Sequence, residues 1–486
     1  MPPEHLFRFG EGAGETLLHP IVLVAMLIAV ALTLLLPRKY VAVPLLAITF
    51  LVPIGQQLLI GGLHFFVYRI ILLVGSLRIL YTLFSSPGSA FGRPLDMLDK
   101  VFVLWAILRA AAVILLFSQA GAVINQMGFL LDAFGGYFML RYSIQDDEDF
   151  HRAIRTFAVI VFIIGGCMLF EKFSMVNVFG LLGGVHSEPD VRLGSVRAQG
   201  PFQHSVLAGT FAATLIPLFY LLWKSGKSRA LAVIGAVGAT AMTVTAASST
   251  PLLAYAGAVL AICCWPLRRV MRPVRWGFVA ALVGLHLVMK APVWFLIQRV
   301  DIVGGSSGYH RARLVNDFIM HFRDWWLLGT TDNPKWGFTM WDLANQYVLE
   351  GETGGLAAFI CFIAIICICF SRIGRARQAV DGDRDKEWYF WLLGCALFSH
   401  LVAYFGISYF DQTRFAWFAL LTLISAATAP FLMKVPAPSP VRGSTLRSPS
   451  PAYAPITKVG ATNLASLSPQ TSFRSRYFKS RLSSTY

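Results

Sequence analysis

The sequence predicts an all-α, polytopic integral membrane bundle of about 12–13 spans with a large external loop, and three observations carry that prediction. Hydrophobic residues make up 56% of the 486 and charged residues only 14%, a balance foreign to soluble globular chains. Apolar runs of about 17–25 residues recur, each long enough to cross ~30 Å of hydrocarbon. Basic residues gather in the short gaps between those runs, so the net charge of +16 reads as topology and implies no nucleic acid.

Residues 1–16 are acidic and lack the basic start of a cleaved signal peptide. Spans are expected near 18–36, 41–59 (interrupted by Gln56 and Gln57), 63–83, 99–118 and 121–140. A mixed-charge loop from Arg141 to Arg155 precedes the next, near 156–173, which empties into a polar stretch from Asn177 to His204. Four follow in quick succession near 205–223, 229–247, 251–267 and 275–292. After a second long polar stretch, the last three lie near 354–371, 388–408 and 412–433. The basic clusters around Lys224, Lys227 and Arg229, around Arg268, Arg269, Arg272 and Arg275, and around Arg372, Arg375 and Arg377 should face the cytoplasm. Simple alternation then puts the loops 177–204 and 293–353 together on the external side, and the N-terminus with them. Residues 1–434 form the membrane domain. From 435 to 486 the chain turns Ser/Pro-rich and basic without an acid, and a disordered cytoplasmic tail is expected. All seven cysteines (Cys167, Cys263, Cys264, Cys361, Cys367, Cys369 and Cys395) fall in apolar runs, where they suit packing better than disulfides or metal.

The second loop organises the chemistry. On a helical wheel Arg311 shares a face with Leu314, Val315, Phe318, Phe322 and Trp325, whereas Arg313, Asp317 and Asp324 fall opposite. Arg313 has Asp317 four residues on as a solvated partner. A guanidinium on the packing face is costly unless an anion meets it, which singles out Arg311. In the first loop, Arg192 and Arg197 precede His204 at the mouth of a span, with Gly194 and Gly200 able to let backbone approach a ligand. These arginines together suit a diphosphate, because the planar guanidinium matches phosphate oxygens bidentately. Their bland alternative is pairing with lipid headgroups, Glu188 or Asp190. Asp342 is a candidate general base, with a partly desolvated site raising its pKa; it is equally suited to capping the helix that follows. His310, Asn345, Glu350 and Glu352 are candidate substrate contacts, the two glutamates also standing next in line as base. His204, His310 and His321 show no metal spacing, and no phosphate-binding GxxxxGK[ST], HExxH, CxxC or GxSxG motif is present. No cofactor is implied.

Three stretches resemble the bacterial O-antigen ligase/polymerase superfamily: RAQGPFQHSVLAG (197–209), HRARLVNDFIMHFRDWWLLG (310–329) and DLANQYVLEGETGG (342–355). The resemblance implies an inverting, metal-independent glycosyltransferase of the bacterial inner membrane, its site facing the periplasm. A glycan would leave an undecaprenyl diphosphate carrier for an acceptor hydroxyl, as in exopolysaccharide or O-antigen polymerisation or ligation. By position Arg197 and Arg311 would hold the diphosphate and Asn345 would match the family's asparagine. The chain departs from the pattern where the family has two histidines, carrying Asp342 and Ala344 instead. Partners implied are the polyprenyl-diphosphate-linked glycan, membrane lipid, and polysaccharide-export or chain-length proteins. The rival reading is a flippase or transporter of the same lipid-linked oligosaccharide; a non-catalytic export scaffold is the third. Transporters tend to show internal repeats and broken helices at the midplane, and no internal repeat is visible in this sequence.

Overall fold

A computed structural model describes residues 16–85, 90–299, 308–337 and 340–432. The Ser/Pro-rich tail and its expected disorder lie outside the described residues. So do 300–307 and 338–339 of the second long loop.

The helices run in order α1 (Pro20–Leu35), α2 (Ala42–Leu51), α3 (Val67–Ser85), α4 (Met97–Phe117), α5 (Ala120–Leu130), α6 (Gly136–Ser143) and α7 (Asp147–Ser174). They continue with α8 (Ser205–Lys224), α9 (Arg229–Thr245), α10 (Ser249–Cys263), α11 (Met271–Val288), α12 (Gly308–Met320), α13 (Phe322–Trp325), α14 (Gln346–Ala379), α15 (Arg384–Tyr404) and α16 (Thr413–Leu432). Two small antiparallel hairpins interrupt them, β1 (Gln57–Ile60) with β2 (Leu63–Phe66), and β3 (Asp190–Arg192) with β4 (Ser195–Arg197). The molecule is therefore the all-α membrane bundle that its composition predicts. Six helices (α3, α4, α7, α8, α14 and α16) are long and apolar enough to cross a membrane, or seven if α11 and the 93° bent turn after it form one span. α1, α9 and α10 are apolar but shorter. The 12–13 expected spans thus resolve into full-length helices mixed with short and broken ones.

Two stretches differ from expectation, each for a local reason. The span expected over 41–59 stops at Leu51, where Val52 turns extended ahead of Pro53, and Gln56 beyond it serves elsewhere. Its buried amide accepts from the His19 N–H and donates to the carbonyls of Leu182 and Gly183, tying the start of α1 to the first long loop. The loop expected from Arg141 to Arg155 is largely helix. Asp146 caps α7 by accepting from Asp149 N–H, and three acids in its first turn suit the positive helix end. Arg141 is fully buried and bidentate to Asp99 at 2.6 and 2.7 Å.

Contacts sort the bundle into two ends. At one, Lys227 meets Asp147 (2.5 Å), Arg372 meets Asp96 (2.5 Å) and Arg268 meets Glu387 (2.7 Å). The basic clusters that were assigned a common side thus lie near the starts of α4, α7 and α15. The opposite, loop end gathers both long loops. There Phe202 enters an aromatic cluster with Phe50, Phe157 and Phe211, the Phe50 and Phe211 rings stacked at 4.3 Å. This cluster fixes the first loop on α2, α7 and α8.

Candidate functional site at the loop end

The first loop is held by main-chain anchors. Glu171, buried near the end of α7, accepts from the N–H groups of Gln199 and Gly200, both at 2.9 Å. Ala198 N–H donates to Thr245 O at the end of α9, and Gln203 N–H reaches Asp411 Oδ2 ahead of α16 at 3.4 Å. Upstream, β3 and β4 turn through Leu193 and Gly194 and set Asp190 opposite Arg197, with Nη1 3.3 Å from the carboxylate. The segment that follows Arg197 is thus pinned to α7, to α9 and to the turn before α16.

The second loop carries a small core of its own. Leu314 and Phe318 of α12 pack with Trp325, Trp336, Met340 and Val348, and the rings of Phe318 and Trp325 stack at 4.0 Å. Two glycines fasten this segment to α14. At Gly329 (φ +90°) a Cβ would lie 2.1 Å from Glu352 O, and at Gly355 (φ +65°) it would lie 2.4 Å from Leu327 O. Thr330 N–H and Leu356 N–H close the junction onto Glu352 O and Trp326 O. The expected apolar stripe is real but broken, since α12 ends at Met320 and α13 restarts at Phe322. Arg313 does pair with Asp317 at 3.3 Å. That partner, however, is buried rather than solvated, with Asn316 also donating to it.

Between the loops lies a cavity of about 380 Å³. Arg192, Arg197 and Arg311 line it together with Asp190, Asp342 and His204, and Gln199, Ser248, Ser249 and Ala344 complete its polar and small-residue wall. The Nε of Arg197 and of Arg311 are both buried without a hydrogen-bond partner among the described residues. Burial pushes the Arg311 guanidinium below its usual pKa, Asp342 opposes that, and Arg192 and Arg197 push it further down. The His204 ring stands edge-on to Phe410. Burial, and then Arg197, lower its pKa below the ordinary histidine value, which favours the neutral imidazole. An apolar groove of about 170 Å³ continues from Arg311, Ser249 and Gly406 toward Leu253, Ile297 and Val402.

Asp342 does not cap a helix. Asn345 does so instead, its Oδ1 accepting from Tyr347 and Val348 N–H. The Asp342 side chain is 55% exposed, contrary to the expected desolvation. His310 donates from Nε2 to the Asp342 carbonyl at 2.9 Å, and its ring lies 4.0 Å from the carboxylate. Four expected contacts do not line the cavity. His310 braces Asp342 from behind, and Asn345 is spent as the cap of α14 and fully buried. Glu350 accepts from Trp105 Nε1 and Gln346 Nε2 between helices. Glu352 is buried, with neither carboxylate oxygen hydrogen-bonded among the described residues. For Asn345, Glu350 and Glu352 the shared reason is that α14 begins right after Asn345 and turns these side chains inward.

The sequence reading missed Ser248, Ser249, Gln199 and the anchoring role of Glu171. Only the short α9–α10 connection hints at the serines, and only the fold reveals the glutamate. Among the described residues no group of three or more His, Cys, Asp or Glu is placed to hold a metal ion. Three guanidiniums, an Asp190 carboxylate paired with Arg197 and an accessible Asp342 carboxylate outside any arginine ion pair among the described residues fit a multiply charged anion beside a group that loses a proton. Comparison with protein-family models, with curated proteins and with solved structures finds no match.

Proposed function

We propose that this chain is a membrane glycosyltransferase that moves a glycan from an undecaprenyl diphosphate carrier to an acceptor hydroxyl, in the manner of O-antigen ligases and polymerases. The observation that carries the reading is the convergence of Arg197 and Arg311, from separate loops, on one cavity that Asp342 also lines. The two guanidiniums take the diphosphate. As the bond between the anomeric carbon and the bridging oxygen breaks, charge grows on that oxygen, and preorganised cations in a cavity favour that transition state. The acceptor hydroxyl attacks the anomeric carbon from the opposite face, with inversion, and its proton passes to Asp342. A diphosphate held this way is a good leaving group, so an accessible carboxylate suffices as base. The adjoining apolar groove suits the first isoprene units of the carrier. On this reading the loop end faces the periplasm and the basic end the cytoplasm of a bacterial inner membrane.

The test is transfer from a synthetic lipid-diphosphate glycan by the purified, reconstituted protein. Arg311→Ala and Arg197→Ala should each lower the rate on the order of 10²–10³-fold. Arg311→Lys should recover little of it, because a point charge lacks the planar fork. Arg313→Ala should stay within about twofold of the unaltered protein, its partner Asp317 lying off the cavity. Full activity in Arg311→Ala would sink the proposal. ATP-independent movement of intact lipid-linked glycan across vesicles, without transfer, would favour the flippase.

A further inference from the structure

α10 and α15, which reach the apolar groove beside the cavity at the loop end, wall a second crevice toward the basic end. It encloses about 430 Å³. Leu260 of α10, Phe370 of α14, and Trp391 and Phe398 of α15 give it an apolar wall, while Arg275 of α11 and Arg377 in the last turn of α14 stand in its lining. α11 buries none of its residues against the bundle, so the crevice lies beside a helix that protein contacts leave largely uncovered.

The charges around the crevice are one-sided. Glu387, a buried carboxylate at the start of α15, is taken by Arg268 at 2.7 Å. Neither Arg275 nor Arg377 has a carboxylate within ion-pair distance among the described residues; Arg377 feels Glu387 and Asp381 only at longer range, against Arg268 and Arg275. Arg269 and Arg272 add to the same turn. Guanidiniums at the boundary of an apolar crevice are costly without an anion. A basic pocket between membrane helices is the arrangement that anionic headgroups fill.

We propose that this crevice is a binding site for an anionic phospholipid of the surrounding bilayer. Its phosphate lies between Arg275 and Arg377, where guanidinium and phosphate oxygens match, and an acyl chain lies on the Phe370, Trp391 and Phe398 wall. A choline headgroup is disfavoured because its cation would meet the arginines of the 268–275 turn. The lipid also supplies the contacts that α11 lacks with protein. The site is independent of the transfer reaction at the other end.

The experiment photolabels the full-length protein in nanodiscs with phosphatidylglycerol carrying a diazirine in its acyl chain, and in parallel with the matching phosphatidylcholine. Crosslinked residues are mapped by peptide mass spectrometry. Phosphatidylglycerol should label Phe370, Trp391 or Phe398 at least fivefold more than phosphatidylcholine, and the R275Q/R377Q variant should lose that preference while keeping labelling elsewhere on the bundle. Equal labelling by the two lipids in the unaltered protein overturns the headgroup assignment, and does so whether or not the variant folds. Labelling of the wall by neither lipid overturns the site altogether.

Discussion

Arg141 and Arg311 are the same residue type in a buried and a half-buried setting, and the difference between them separates a structural charge from the one proposed to be functional. Arg141 is fully buried, and Asp99 meets it with both oxygens while Tyr137 O–H donates to the same carboxylate. Pro94 O accepts from it as well. Arg311 is also largely removed from water, yet no carboxylate stands within ion-pair distance among the described residues. Asp342 acts on it only at longer range, and Arg192 and Arg197 oppose it. Both side chains leave a buried nitrogen unpartnered. An orphan donor is therefore not the distinguishing mark. The missing counter-charge is. A buried cation without its anion is expensive, and the diphosphate proposed above would supply the anion that Arg311 lacks.

The sharpest way to break this comparison is to remove one partner from each setting. Asp99→Ala strands Arg141 without its counter-ion and should cost about 3–5 kcal/mol of stability, read as a large loss of thermal stability in detergent or in nanodiscs. Arg311→Ala removes a cation already lacking a carboxylate partner, so its unfolding temperature should hold or rise while the proposed glycan transfer collapses. If Arg311→Ala destabilises as much as Asp99→Ala, Arg311 is a structural cation and the contrast fails.

The sequence carries one side of this contrast better than the other. Arg311 is legible because a 3.6-residue period places a cation on a packing face, and Arg197 because it stands just before an apolar run. Membrane class and the short basic turns follow from composition alone. Arg141 reads as a loop residue because its partner lies 42 positions away and no local pattern couples them. The same blindness put Asn345, Glu350 and Glu352 at the site. They lie beside Asp342 in sequence, but helix geometry turns them into the bundle within the first two turns of α14. Glu171 was invisible for the converse reason. Inside an apolar run a lone glutamate looks like an intruder, and only the fold shows two backbone N–H groups waiting for it.

A smaller effect tests how the second loop keeps Arg311 in place. Gly355 sits at φ +65° with Leu327 O where a Cβ would go. Gly355→Ala combines a left-handed backbone with a direct clash, and should cost about 1–3 kcal/mol. The 314–348 core is tied to α14 at this point, so limited proteolysis should cut within 308–337 first, and transfer should fall with it. Unchanged protease resistance would mean that the small core, rather than the junction, holds Arg311 over the cavity.

The smallest effect is a pH dependence, and it reports on the cavity itself. His204 faces Arg197, His186, Asp190 and Asp342; burial and the first two lower its pKa, and the two carboxylates raise it. With the folded value below the ordinary 6.5, the unfolded chain binds a proton more readily than the folded one. Stability on this account is undiminished above about pH 6.5 and falls as the pH drops below it, the loss levelling off once the folded site also protonates. His204→Gln removes the titration, so the unfolding temperature of the unaltered protein should drop more steeply than that of the variant between pH 7 and 5. Arg197→Ala removes one source of repulsion and should fall between the two. Parallel curves for all three would mean that His204 is well hydrated. A cavity that wet would screen Arg197 and Arg311 from any bound anion, and the electrostatic case for a diphosphate clamp would weaken with it.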